Sequence, residues 1–142
     1  MTRQYLIDLA GGLLYGAEGI VLMVIGYFVI DLLTPGHLGR IIVQERNRDA
    51  ALIVAAALVG IGAIVTVAIY SAEGRLGQGL LQAGGYGLVG IFLMGVAFRV
   101  MDLITPGRLG HILMSDEDQP VTYMIGASLV SLGAILAAAI SP

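Results

Sequence analysis

The composition of this 142-residue chain lies outside the range of soluble globular domains, because 58% of its residues are hydrophobic and only 12% are charged. The net charge of -3 and the scattered arginines give no reason to expect a nucleic-acid partner. The lack of cysteine excludes disulfides, thiolate metal sites and cysteine nucleophiles. The chain is therefore predicted to be a membrane protein.

Four segments are long and apolar enough to cross a hydrocarbon core of about 30 Å, which takes about 20 helical residues. They are about 13–33, 50–70, 80–104 and 121–140. The first apolar segment is too long for the core of a cleaved signal peptide, so an uncleaved first span is expected. Residues 1–142 are predicted to form a single all-α integral membrane domain, in which any chemistry must use the helices and short turns.

An internal duplication links the two halves of the chain. The phrase DLLTPGHLGRI, which begins at Asp31, returns as DLITPGRLGHI at Asp102, and an ungapped alignment of 15–69 with 86–140 gives about 23 identities. Repeat one covers about 13–70 and repeat two about 84–140. Each repeat contains two spans, so the two hairpins are expected to be parallel, with both chain termini on one face of the membrane.

The arginines in the short loops predict the orientation. The loops after spans one and three contain four arginines and the opposite face contains two, so these loops are predicted to be cytoplasmic. The loop arginines are Arg40, Arg46, Arg48 and Arg108, and the opposite face has Arg3 and Arg75.

Small residues are frequent within the spans, as in Gly12, Gly16, Gly19 and Gly26 of the first. In lipid, small residues at three- and four-residue spacing allow helix backbones to approach closely. The simpler interpretation is a compact four-helix bundle. The alternative is a glycine-lined face that packs several copies around a pore.

The Thr-Pro-Gly triplets stop the apolar runs and favour a new helix, because Thr is a good N-cap and Pro is favoured at the first helical position. After the first triplet, Leu38, Ile41 and Ile42 recur at helical spacing, with His37 and Arg40 on the other side. A short interfacial helix is therefore predicted after span one and, from the matching phrase, after span three.

Two aspartates lie in the last turns before these breaks. Asp31 and Asp102 are close to hydrocarbon and unfavourable to the helix dipole, so each needs a positive or hydrogen-bonding partner. Arg99 precedes Asp102 by three residues on the same helical face, and its counterpart in repeat one is Phe28. We expect Arg99 to pair with Asp102, with Asp31, or with both.

The polar residues of both phrases form the candidate site, together with Arg99. One interpretation is that they only hold the helix breaks in place; the alternative is that they line a polar cavity or permeation path at one membrane face. A metal site is not expected, because the two histidines lack the ligand spacing of one. The candidates are Asp31, Thr34, His37, Arg40, Arg99, Asp102, Thr105, Arg108 and His111.

Glu18 is a second acidic candidate within the first span, and Val89 replaces it in repeat two. It is expected to reach the membrane interface or to pair with Tyr15 or Tyr86. The alternative is a proton or cation site.

The duplicated hairpin with its Asp-Leu-x-Thr-Pro-Gly phrase resembles the YjfL-like bacterial membrane family, known as domain of unknown function 350. The resemblance extends from about Tyr15 to Ile140. It implies a multi-pass protein of the bacterial inner membrane and a connection with envelope systems. It implies no catalytic residues.

These features favour a non-enzymatic membrane component, either an anchor or an assembly partner in an envelope-associated system. No nucleophile with a base, metal cluster or phosphate-binding loop can be assembled, so no enzyme activity and no cofactor are expected. The expected partners are the lipid bilayer, further copies of the chain and an envelope protein. The alternative function is an oligomeric ion channel or small-solute transporter that uses the polar candidates.

Overall fold

The computed structural model describes residues 1–105 and 120–142, and all of the elements in this part of the chain are helices. Four of these helices are long and apolar enough to cross a membrane. The chain is thus an all-α, multi-pass membrane protein, as predicted. The elements are α1 (Thr2–Leu33), α2 (Leu38–Val43), α3 (Arg48–Tyr70), α4 (Leu76–Ile104) and α5 (Val121–Ile140).

Helix α1 begins at Thr2, well before the predicted start of the first span at residue 13. No proline interrupts this segment, and isolated glycines weaken a helix without ending it. Its 32 residues form a rod of about 48 Å, longer than the hydrocarbon core of about 30 Å. The first ten residues of the chain are all exposed. The N-terminal part of α1 therefore extends beyond the packed bundle.

The first Thr-Pro-Gly triplet ends α1 through its backbone geometry. Thr34 has extended angles, φ -95° and ψ 134°, which is the conformation that a following proline favours. Gly36 has φ +85°, a left-handed conformation that glycine adopts without strain. The predicted short helix after span one is present as α2. The corresponding helix after span three would fall within 106–119, outside the described residues.

Contacts of individual glycines show how the long helices run relative to one another. The backbones of Gly60 in α3 and Gly133 in α5 are in direct contact. Gly126 lies beside Ala56, and both of these residues come earlier in their helices, so α3 and α5 run parallel. Gly26 lies against Ile61, whereas Gly19 lies against Ile69, so α1 runs antiparallel to α3. Helix α3 contacts α1, α2, α4 and α5 and therefore lies at the centre of the bundle.

The core between these helices is apolar. Fully buried side chains from three helices meet there, including Ile61, Ile64, Ile91, Met94 and Leu129. Leu38 and Ile41 of α2 belong to the same cluster, so the short helix is packed onto the bundle rather than free in the headgroup region. The described part of the chain is thus a helical bundle with an apolar core.

Candidate functional site

Asp31 connects the end of α1 to the start of α2. Its Oδ1 accepts a hydrogen bond of 2.7 Å from the backbone N–H of Leu38, the first residue of α2. Its Oδ2 lies 3.7 Å from Nδ1 of His37. A carboxylate at the end of one helix is unfavourable to that helix dipole, but the same carboxylate is favourable at the start of the next helix. The geometry of the break thus gives Asp31 a stabilising role.

Thr34 and Thr105 occupy equivalent places at the ends of α1 and α4. The Thr34 hydroxyl donates to the carbonyl of Ile30 at 2.9 Å, and the Thr105 hydroxyl donates to the carbonyl of Met101 at 2.6 Å. Both hydroxyls point back into the helix that ends there. The prediction that Thr34 caps the following helix was therefore wrong, because α2 begins only at Leu38 and takes its cap from Asp31.

Arg99 pairs with Asp102, as the spacing on α4 predicted. Its Nη1 lies 3.8 Å from Oδ2 of Asp102, at the outer limit of an ion pair. The Arg99 side chain is 60% exposed and that of Asp102 is 19% exposed. A pair this loose, with Arg99 largely exposed, contributes little to stability. Because the guanidinium has five N–H donors, this contact with Asp102 also occupies only a small part of its hydrogen-bonding capacity.

The two polar residues around the start of α2 both face outward. His37 is 87% exposed, and Arg40 is also exposed, opposite the buried side chains of Leu38 and Ile41. Arg108 and His111, their counterparts in repeat two, lie outside the described residues. The described contacts of the candidate cluster join neighbouring turns and tie down helix ends; whether the cluster also lines a path stays a prediction.

Glu18 faces the backbone of α4. A Cβ atom placed on Gly84 would lie only 2.7 Å from its Oε1, so the carboxylate occupies the space that this glycine leaves open. Its Oε2 is buried and makes no hydrogen bond with any described residue. The predicted pairing with Tyr15 or Tyr86 is not seen among the described hydrogen bonds. An ionisable group with a buried polar atom in a membrane helix remains a candidate for function.

Sequence reasoning passed over two buried polar residues at the end of the bundle where α2 lies. Asp49 is buried in the first turn of α3. The residue that caps this helix is Asn47, whose side chain accepts a hydrogen bond of 3.0 Å from the backbone N–H of Ala50. Thr122 of α5 is fully buried, and its hydroxyl makes no hydrogen bond with a described residue. The Asn-x-Asp start of α3 was the available signal, since both residue types favour a helix N-terminus.

Described residues line grooves on the outside of the bundle, and two of these grooves bear on the candidate functions. One, of about 400 Å³, lies between α1 and α3 and is lined by small residues including Gly16, Gly19 and Gly62. The other, of about 430 Å³, lies between α1 and α4 and has Arg99 in its lining. Within the described ranges, no group of three or more His, Cys, Asp or Glu side chains is placed to hold a metal ion.

Comparison with known proteins bears on the whole chain. The model of the family described as Domain of Unknown Function (DUF350) matches residues 4–141, which confirms the resemblance carried by the repeated phrase. A UPF0719 transmembrane protein of Mycolicibacterium paratuberculosis is 32% identical over 129 residues, covering 91% of this chain and 85% of the relative. A UPF0719 transmembrane protein of Mycobacterium bovis is 31% identical over 128 residues, covering 90% of this chain and 84% of the relative. No solved structure matches.

Proposed function

Because the chain belongs to the DUF350 family of membrane proteins, we propose that it is a non-enzymatic component of the bacterial inner membrane. The relatives described above are named as transmembrane proteins, and their names state no activity, so the details of the proposal rest on the surface of the described helices. In this proposal the protein assembles with further copies of itself through the groove between α1 and α3. The assembly then serves as an anchor or partner for an envelope protein.

The observation that carries the proposal is the pair of glycines in this groove. A Cβ atom added to Gly16 or Gly62 would meet no atom of another described part of the chain within 4 Å, yet both residues lie within long helices and line the same groove. Glycine in a helix interior costs roughly 0.5–1 kcal/mol relative to alanine. No contact within the described protomer offsets this cost. A helix from another copy that approaches the groove closely would use the space.

The polar residues support a non-enzymatic role. Asp31, Thr34 and Thr105 are engaged in hydrogen bonds at helix ends, and the core between the helices is filled with apolar side chains. These hydrogen bonds stabilise the helix ends, and the described residues enclose no polar cavity in which a substrate could bind. The long exposed N-terminal part of α1 adds a further apolar surface, since Leu6 and Leu9 are more than half exposed.

The test of assembly is the mass of the protein in lipid nanodiscs or mild detergent. The wild type should be oligomeric, and Gly16→Leu combined with Gly62→Leu should shift it toward the monomer by filling the groove. Gly85→Leu is the matched control, because Gly85 is also a helical glycine whose Cβ would meet nothing within 4 Å, but it does not line this groove. A monomeric wild type, or equal masses in all variants, would contradict the proposal.

A second candidate function is an oligomeric ion channel or small-solute transporter. The buried, unpaired Oε2 of Glu18 favours it, as does the presence of Asp31, Arg99 and Asp102 near one end of the bundle. Because the protomer core is apolar, a conducting path would have to lie between copies. Ion flux in liposomes that is lost in Asp31→Asn with Asp102→Asn would support this function. Absence of flux from the oligomeric wild type would contradict it.

We also propose that α2 and the following loop are cytoplasmic and that both chain termini are on the other side. The segments that follow the first and third spans contain Arg40, Arg46, Arg48 and Arg108, whereas the opposite end of the spans has Arg3 and Arg75. The excess of arginine in short loops supports the assignment, since such loops are retained in the cytoplasm.

A further inference from the structure

The groove between α1 and α4 combines a long apolar surface with one positively charged side chain among its described lining residues. Its lining runs along α4 from Leu88 to Leu103, about 22 Å of helix, and includes Val29 and Leu33 from α1. One leaflet of the hydrocarbon core is about 15 Å thick. Among the described residues that line the groove, Arg99 alone is charged. The groove is thus long enough to hold an acyl chain of one leaflet, and a cation lies toward one of its ends.

The position of Arg99 places this cation toward the end of α4 that leads to the helix break. Arg99 precedes Ile104, the last residue of α4, by five positions, about 7.5 Å along the helix axis. Its Nη1 lies 3.8 Å from Oδ2 of Asp102, which is one turn nearer to that end. The apolar stem of an arginine can follow apolar surface while its charge reaches the membrane interface.

We propose that this groove binds an anionic phospholipid from the leaflet on the α2 side. One acyl chain lies between α1 and α4, and the phosphate accepts hydrogen bonds from the Arg99 guanidinium. The planar guanidinium suits two phosphate oxygens at once, and its loose contact with Asp102 leaves donors for them. At 60% exposure, Arg99 presents more surface to the lipid than Asp102 does at 19%.

Two features of the chain favour a lipid over a helix from a second copy. A protein helix in this groove would cover Arg99 with apolar surface and desolvate its charge, whereas a phospholipid supplies hydrocarbon and an anion together. The corresponding position of repeat one is Phe28, which is exposed, so a hairpin of this kind forms without an arginine there. Packing of the hairpin therefore does not require a charge at Arg99, which leaves binding as a reason for it. This site is separate from the assembly groove and does not depend on the proposed function.

The test is native mass spectrometry of the purified full-length protein titrated with phosphatidylglycerol or with phosphatidylcholine of the same acyl chains. The wild type should prefer phosphatidylglycerol, and Arg99→Gln should weaken its binding about tenfold, as expected for loss of charge-assisted hydrogen bonds. Arg40→Gln is the matched control, because Arg40 is an exposed arginine near the same face that does not line the groove. This control should bind like the wild type.

Two further variants separate the alternatives. Arg99→Phe installs the residue of repeat one and tests the charge if the glutamine variant does not fold. Val96→Trp fills the groove from an exposed position and should weaken binding of both lipids while Arg99 stays in place. Equal binding by Arg99→Phe and Arg40→Gln would overturn the proposal. So would a Val96→Trp variant whose oligomeric mass falls while lipid binding is unchanged, because the groove would then hold a second copy.

Discussion

The carboxylate of Asp31 accepts a hydrogen bond of 2.7 Å from the backbone N–H of Leu38. A residue in the last turn of α1 thus holds the first residue of α2 in place. Leu38 comes seven positions after Asp31, and the intervening Pro35 and Gly36 set the turn that brings the two together. Because Leu38 is fully buried against the bundle, this hydrogen bond also fixes how α2 packs on α3.

Asp31→Ala should therefore loosen α2 without unfolding the bundle. Loss of an N-terminal cap costs about 0.5–2 kcal/mol, and the Leu38 amide loses its acceptor. We expect faster hydrogen exchange at the amides of α2 and a lower melting temperature in detergent. Glu45→Ala removes the same charge from an exposed residue near this break and should change neither. Unchanged exchange at Leu38 in the Asp31 variant would contradict the capping role.

Gly133→Ala should destabilise the contact between α3 and α5. A Cβ at Gly133 would lie 2.8 Å from the carbonyl carbon and oxygen of Gly60, and a helix backbone cannot yield as a flexible side chain can. Overpacking of this kind costs about 1–3 kcal/mol. Thermal unfolding in detergent measures the loss. The control is Gly85→Ala, which meets nothing within 4 Å and should be neutral or slightly stabilising.

Glu18→Leu should raise the stability of the fold, provided that the Glu18 carboxylate is kept for function and makes no stabilising contact. An unpaired buried polar atom carries a desolvation penalty of about 1–3 kcal/mol, which leucine removes. Glu18→Gln keeps the shape and an unpaired polar atom, so its melting temperature should stay close to that of the wild type. A clear loss of stability in Glu18→Leu would instead show that the carboxylate has a structural partner.

The orientation can be checked with reporters fused to the C-terminus after Pro142. If α2 is cytoplasmic, a phosphatase that works only outside the cytoplasm should be active there, and a reporter that fluoresces only in the cytoplasm should be dark. Replacing Arg46 and Arg48 by glutamine should weaken this preference, because loop arginines hold a loop in the cytoplasm. The reverse pattern of activity would place α2 on the other side.

Much of the candidate site could not be predicted from the sequence, because residue spacing does not give the rotation of each helix about its axis or the distances between helices. The pairing of Arg99 with Asp102 was predictable, because residues three apart share a helical face. The cap that Asp31 provides was not, since it depends on the left-handed Gly36 between two helices. The approach of Glu18 to Gly84 joins α1 to α4 across 66 positions, and no local pattern reports which faces of two apolar helices meet.

The sequence by itself determined that the chain is a multi-pass helical membrane protein and where its spans end. In lipid, each helix satisfies its own backbone hydrogen bonds, so length, hydropathy and the Thr-Pro-Gly stops are sufficient. Only the tertiary structure decided which glycines are filled by neighbours, as at Gly133, and which stay open, as at Gly16 and Gly62. It also placed Arg99 in a groove. Apolar helices have no solvent-facing side to fix their rotation, so close packing between particular small residues sets it.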